Sequence, residues 1–334
     1  MNFIKGLFRY HKLKILSILG FAIVFAFLIF PYDDLADLAT MKISEATGNQ
    51  VYLQFDSLNL NAVPPGVGLE KVAVETPTLP PIKAESISVT PWLSGLILGK
   101  QGAEIDATGL FGGAIVADVR DGDKTSAGAR YKSVAIDASG LKIPELMNYL
   151  REGGLLSLIL QGSLDMNTSM IVDPQFATQP VGELGMSIKG FTFPSQALSI
   201  SMAPGMPAMA VPVPEIRLGN TKLSAKMNEG SLQISEFTFG GDPKALSGKV
   251  TGELGLTFRG GPAGVQPIIG SYDLRINLKM PKDFVQANER AGLSLAFAML
   301  PPTARKDLPD GTQLSFRLQP PAPGQQMPNI TAIQ

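Results

Sequence analysis

Two serines stand two residues before a lysine, in Ser224-Ala225-Lys226 and Ser247-Gly248-Lys249. A Ser-Lys hydrolase could pair nucleophile and base in that way. Residues two apart on a strand share a face, however, so both pairs read as solvated neighbours on a wet side. Gly95-Leu96-Ile97-Leu98-Gly99-Lys100 has the outline of a phosphate loop. It is one residue short between its glycines, and Gln101 follows where Ser or Thr is needed. Asp121-Gly122-Asp123 offers two carboxylates but lacks the spacing and closing Glu of a calcium loop, and Asp-Gly between strand-like runs predicts a hairpin turn. Met202, Met206 and Met209 could present thioethers to Cu(I). They lie among four prolines and a glycine in residues 202–214, which predicts an irregular or extended loop.

The missing residue types exclude more. Cysteine is absent, and the single histidine is His11. Beyond that position neither a Ser-His-Asp nor a Cys-His arrangement can be built, nor a zinc site of His and Cys. The expectation is a protein that is not an enzyme, with no catalytic residue, metal or cofactor.

Ile15 to Phe30, which includes Phe21 and Phe25, carries no charge. Lys5, Arg9, Lys12 and Lys14 precede the run, and Asp33, Asp34 and Asp37 follow it. Cationic flanks stay cytoplasmic, so the rest of the chain is expected across the inner membrane. The run is short, at roughly 24 Å of helix, for about 30 Å of hydrocarbon. Counting from Leu13 to Tyr32, with Lys14 snorkelling, closes the gap. A cleaved signal peptide would need small residues in an A-x-A pattern, whereas this run ends Phe27-Leu28-Ile29-Phe30-Pro31. The reading is a cytoplasmic tail over 1–12, a single-pass anchor over 13–32, a periplasmic domain over 33–320 and a disordered tail over 321–334.

With four of the 28 basic residues at the anchor, the remainder carries 24 basic against 29 acidic groups. An acidic surface without basic runs argues against nucleic acid. Hydrophobic residues make up 45% of the 334, and charged residues only 17%. A sizeable core is therefore available. With no disulfide, core and sheet must hold the domain.

Period-2 alternation dominates the chain beyond the anchor. Tyr272, Leu274, Ile276, Leu278 and Met280 alternate with polar residues, as do Leu254, Leu256 and Phe258, and Leu314, Phe316 and Leu318. The longest such run reads as one strand from Leu156 through Leu158, Leu160, Leu164 and Met166 to Met170. Gly182-Glu-Leu-Gly-Met-Ser-Ile-Lys-Gly190 nearly repeats as Gly252-Glu-Leu-Gly-Leu-Thr-Phe-Arg-Gly260, which predicts duplicated sheet units. Helices are few: Asp33–Thr47, a short one over Pro144–Arg151, and an ambiguous one from Pro281 to Leu300. The fold class is mainly β, a long curved antiparallel sheet after the transmembrane helix. An apolar face of that length must be covered. Either the sheet folds like a taco around a groove lined by Leu156, Leu158, Leu160, Leu164, Leu254, Leu256, Phe258, Tyr272, Leu274, Ile276 and Leu278, or it packs as a filled β-sandwich.

Within this pattern the N-terminal third resembles the AsmA-type architecture of Gram-negative envelopes. The resemblance rests on Thr47-Gly48, the strand Val51–Leu60, and Pro65-Gly66-Val67-Gly68-Leu69-Glu70-Lys71-Val72-Ala73-Val74. It continues through Ala84-Glu85-Ser86-Ile87-Ser88-Val89, Trp92–Lys100 and Leu110-Phe111-Gly112-Gly113. With Asn228–Ile234 and Gly240-Gly241-Asp242 included, the chain is most similar to the longer form of type II secretion system protein N. The resemblance implies an inner-membrane-anchored periplasmic accessory acting through contacts with other secretion-system subunits. AsmA-type relatives imply an alternative, a carrier that binds phospholipid acyl chains. Trp92 is read either as a contact with a membrane interface or groove entrance, or as an ordinary rim aromatic.

Overall fold

A computed structural model describes residues 40–42, 44–45, 51–62, 65–76, 80–124, 130–153, 158–200, 209–213, 215–241, 245–261, 264–288, 300–321 and 328–333. The expected tail over 1–12 and the expected anchor over 13–32, with Ile15, Phe21, Phe25 and Phe30, lie outside them. Among the described residues no helix is long and apolar enough to cross a membrane.

The first strands are β1 (Tyr52–Gln54), β2 (Ser57–Ala62), β3 (Pro65–Glu75) and β4 (Ile82–Pro91), followed by helix α1 (Leu93–Ile97). Next come β5 (Gly102–Leu110), β6 (Gly113–Lys124), β7 (Arg130–Lys142) and helix α2 (Ile143–Glu152). Then come β8 (Gln161–Val172), β9 (Val181–Phe193), β10 (Gln196–Ile200), β11 (Met209–Val213), β12 (Ile216–Asn228) and β13 (Ser231–Phe239). The series closes with β14 (Ser247–Gly261), β15 (Gly264–Pro281), helix α3 (Lys282–Asn288), β16 (Arg305–Leu308), β17 (Gly311–Gln319) and β18 (Asn329–Ala332).

Sixteen of these strands form one antiparallel sheet, curved and unclosed, in the order β1-β3-β4-β5-β6-β7-β8-β9-β12-β13-β14-β15-β17-β16. β2 adds to β3, β18 adds to β17, and β10 with β11 forms a separate ribbon. The mainly β, antiparallel expectation holds. Helix α2 falls where the sequence places one, with Pro144 and Glu145 in its first turn and Arg151 in its last. Those charges oppose the helix dipole favourably.

Several expectations need correction. The strand expected over Leu156–Met170 is β8, which begins only at Gln161. Leu158 and Leu160 precede it, and Leu156 lies outside the described residues. Between them the Gln196 amide grips Ile159, accepting from its N–H at 3.0 Å and donating to its carbonyl at 2.8 Å. Side-chain amide bonds thus replace the ladder there. Asp121-Gly122-Asp123 is not the turn but the end of β6, where the register shifts between Asp121 and Lys124. The methionine/proline stretch is partly strand, since β11 pairs with β10. In the tail expected to lack structure, β18 pairs Phe316 with Ala332 and Leu318 with Ile330. The strand expected over Val51–Leu60 breaks into β1 and β2, which both pair with β3. Of the first predicted helix, residues 40–42 and 44–45 are helical; of the last, α3 is.

The repeated nonapeptides sit on β9 and β14, three places apart in the sheet. Three steps of antiparallel pairing reverse direction, so the two copies run opposite ways. A translated sheet unit would need an even step, and the repeat marks similar strands instead.

Buried apolar side chains gather at the two ends. Leu53, Val72 and Ala84 cluster at the β1-β3-β4 end, with Leu69, Val74 and Ile87 packed against them. Met280, Ala304, Leu314 and Phe316 cluster at the β15-β17 end, joined by Phe284 and Val285 of α3. At the first end Lys71 adopts φ 50, a conformation that costs a non-glycine residue about 1–2 kcal/mol. It hands the apolar side from Val67 and Leu69 to Val72 and Val74. β4 makes the same switch in step, from Val89 and Ile87 to Ala84 and Ile82, so the register is kept.

Candidate functional site

Cross-strand partners share a face of the sheet, so a row of pairs traces one surface. One row runs Val89–Ile105–Ala117–Ile136–Thr168–Leu184–Ala225–Ile234–Gly252–Leu274–Leu318. A second runs Ala103–Val119–Val134–Met170–Gly182–Met227–Leu232–Leu254–Tyr272. Together they make a nearly unbroken apolar face from β4 to β17. Between the end clusters, buried apolar positions on β5–β14 are scattered, among them Ala107, Ala138, Ile188, Ala225 and Met227. The larger side chains of the two rows, Ile136, Leu184, Met170, Leu232 and Leu254, are half-buried. From strand spacing and rise, β5–β14 present on the order of 1,000 Å² of such face.

Of the residues expected to line a groove, Leu164, Leu254, Leu256, Phe258, Tyr272, Leu274, Ile276 and Leu278 share this face and are half-buried. Leu158 and Leu160 do not lie on the sheet. Sequence reasoning missed β5 and, although it read strands on either side of Asp121-Gly122, did not place the apolar residues of β6 and β7 on this face. Their alternation (Ala103/Ile105/Ala107, Ile115/Ala117/Val119, Val134/Ile136/Ala138) is regular, but alanines dilute its hydrophobicity.

The opposite face is polar and laced by cross-strand ion pairs. Lys226 reaches Glu183 at 2.8 Å, Lys189 reaches Asp165 at 2.8 Å, and Arg317 pairs with Asp273. A shallow depression of about 470 Å³ opens on this face among Asp137, Asp165, Asn167, Gly185, Lys222 and Glu236. Ser224 and Lys226 sit here, on the wet side. The hydrogen bond to Glu183 raises the Lys226 pKa, opposite to what a general base needs. Among the described residues no group of three or more metal-binding side chains is placed to hold an ion.

No family model, curated protein or solved structure matches this chain. Its site is therefore read from its own chemistry.

Where β5–β7 meet the long edge of the sheet, polar groups border the apolar face. Asp121, buried, accepts from the Gln101 N–H at 2.8 Å and from the Lys132 ammonium at 2.5 Å. Lys132 first, then Gln101, holds its carboxyl below the usual range. Asp173 at the end of β8 is likewise held low, by the backbone N–H groups of Gln175 and Thr178. Trp92 is a footing. The ring lies where a Cβ on Gly95 would come within 2.2 Å, and the Arg120 guanidinium stands 5.3 Å from its centroid. The glycine lets α1 sit on the indole.

At the same edge the hairpin of β14 and β15 bends over its neighbours. Gln179 donates to the Phe258 carbonyl at 3.1 Å and accepts from its N–H at 2.7 Å. The Phe176 and Phe258 rings meet at 6.4 Å, and the Leu256 N–H reaches the Gly230 carbonyl at 2.9 Å.

Proposed function

We propose that this chain is a non-enzymatic envelope protein that holds phospholipid acyl chains along the apolar face of its sheet. It is anchored in the inner membrane by residues 13–32, with its bulk in the periplasm. In this reading the sheet folds like a taco about the apolar face, and the clusters at β1-β3-β4 and β15-β17 close its two ends. The observation that carries the reading is the half-buried apolar face between those clusters. Apolar surface of that extent exceeds the few hundred Å² that monomers ordinarily leave to water. An acyl chain needs a continuous apolar wall and no specific hydrogen bond, and the two rows of pairs supply that wall.

The test is mass spectrometry of lipids that co-purify with the full chain in mild detergent, with photocrosslinkers at Ile136 and Leu184 and, as controls, at Ser224 and Lys249. Phospholipid bound in near-stoichiometric amount and crosslinked only from the apolar positions is the expected result. A lipid-free chain, or equal crosslinking from both faces, would overturn it. A phosphatase fused after Gly48 should be active; an inactive fusion would remove the periplasmic assignment.

The resemblance to secretion-system protein N supports a second reading, an accessory that acts by contact with other secretion subunits. It predicts that deletion blocks export of secreted enzymes while envelope lipid composition stays normal. The carrier reading predicts the converse.

A further inference from the structure

The antiparallel order places the C-terminal ends of β4, β6, β8, β12 and β14 on one long edge of the sheet. We infer that this edge docks onto a phospholipid bilayer bearing anionic lipid, with α1 as the inserted tip. Helix α1 is a single self-contained turn, closed by Leu96 N–H on the Trp92 carbonyl at 3.2 Å and Lys100 N–H on the Gly95 carbonyl at 2.8 Å. Trp92 and Gly95 prop it outward. Leu93 is 47% exposed, Leu96 53%, Ile97 87% and Leu98 71%. Scattered exposed aliphatics are ordinary; four on one projecting turn are not.

Two features select a bilayer over a protein partner. The first is charge. Lys100 follows the turn, Arg120 covers Trp92, and Arg130 donates to the Gly99 carbonyl at 3.4 Å. Asp118 pairs with Arg120, and the exposed Asp123 lies 4.0 Å from Lys100, so the collar is mixed but contains cations beside the apolar tip. Basic groups around projecting aliphatics suit an anionic interface. The second is geometry. Further exposed aliphatics lie on the same edge, Ile171 and Val181 at the β8–β9 turn and Ile268 and Ile269 on the β14–β15 hairpin. The β8–β9 turn lies four strands from α1, roughly 19 Å along the sheet, and the β14–β15 hairpin bends back onto it through Gln179 and Phe258. Two apolar patches that far apart on one edge fit a broad surface better than a compact protein pocket. The inference stands apart from acyl-chain binding in the groove, since a chain that holds no lipid can still dock by this edge.

The test uses single-cysteine labelling, made clean by the absence of native cysteine. The full chain is reconstituted into vesicles of phosphatidylcholine, alone or mixed with phosphatidylglycerol. An environment-sensitive fluorophore is attached at Ile97→Cys, Ile269→Cys or, on the polar face, Lys249→Cys. Because the probes report locally, insertion by the N-terminal segment does not count. Probes at 97 and 269 should brighten severalfold, be quenched by lipid-borne nitroxide, and respond more strongly on anionic vesicles; the probe at 249 should not. Ile97→Asp with Leu98→Asp should weaken the response at 269 at least about tenfold while the melting curve is unchanged. A probe at 97 that stays in water on both vesicles would overturn the inference. So would one shielded in a concentration-dependent way without lipid, which would assign the edge to a second copy of the chain.

Discussion

Placing an aspartate at Ile136 and, separately, at Leu314 distinguishes an open apolar face from a filled core. Leu314 is 4% exposed and lies in the end cluster with Met280 and Phe316. Leu314→Asp forfeits about 2 kcal/mol of apolar transfer and buries an unpaired carboxylate at several more. The total, about 5 kcal/mol, rivals the whole stability of a domain, so this variant should be unfolded or nearly so. Ile136 stands mid-row between Ala117 and Thr168, half-buried and in neither end cluster. With the groove empty its carboxylate keeps its water. The loss is then about 1 kcal/mol of partial burial and at most about another of strand propensity. Urea denaturation of the delipidated full chain should therefore give a modest midpoint shift for Ile136→Asp and collapse for Leu314→Asp. Lipid analysis should find Ile136→Asp folded but depleted of phospholipid. Equal collapse of the two variants would mean that the face is a packed interior, and the carrier reading would fall with it.

A Cβ at Gly252 would meet the Asp273 carbonyl oxygen at 2.1 Å, and Gly252 has φ 139, so Gly252→Ala should cost about 2 kcal/mol or more. At Gly185 the same 2.1 Å contact is with the mobile end of Asn167, so Gly185→Ala should be nearly neutral; equal melting temperatures would refute the distinction. Gln179→Ala removes both bonds to the Phe258 backbone, worth about 1–2 kcal/mol together. Its signature is fast hydrogen exchange at the Phe258 amide, and unchanged protection there would show that the hairpin is held otherwise. Asp121 has a folded-state pKa depressed by Lys132 and Gln101, so its contribution is complete above the ordinary Asp value of about 3.9 and is lost as pH falls through the lower folded value. Asp121→Asn should be less stable than wild type at neutral pH and lose less on acidification; parallel stability curves from neutral pH to about 3 would contradict this.

Alternation along Leu254–Phe258, Tyr272–Met280 and Leu314–Leu318 determines strands with one wet and one dry face, because the side-chain period of a strand is two whatever its surroundings. Pro144 and the glycines after Arg151 determine α2 equally locally. Those features need only neighbours in the chain, and they were readable. What the dry face meets depends on contacts far apart in sequence, and only the tertiary structure decided it. Among the described residues buried clusters form at the two ends of the sheet, within β1-β3-β4 and where α3 packs beside β15 and β17, and not between. The start of β8 was invisible because the leucines before Gln161 alternate like a strand, while Gln196, far along the chain, takes both backbone groups of Ile159 instead. Asp121-Gly122 carries a turn signature, yet Lys132 and Gln101 draw the aspartate into the sheet, a gain that a pair of residues cannot announce. The exposure of α1 has the same origin. Leu-Ile-Leu reads as core in any sequence, and only the packing of Trp92 against Gly95 turns it outward.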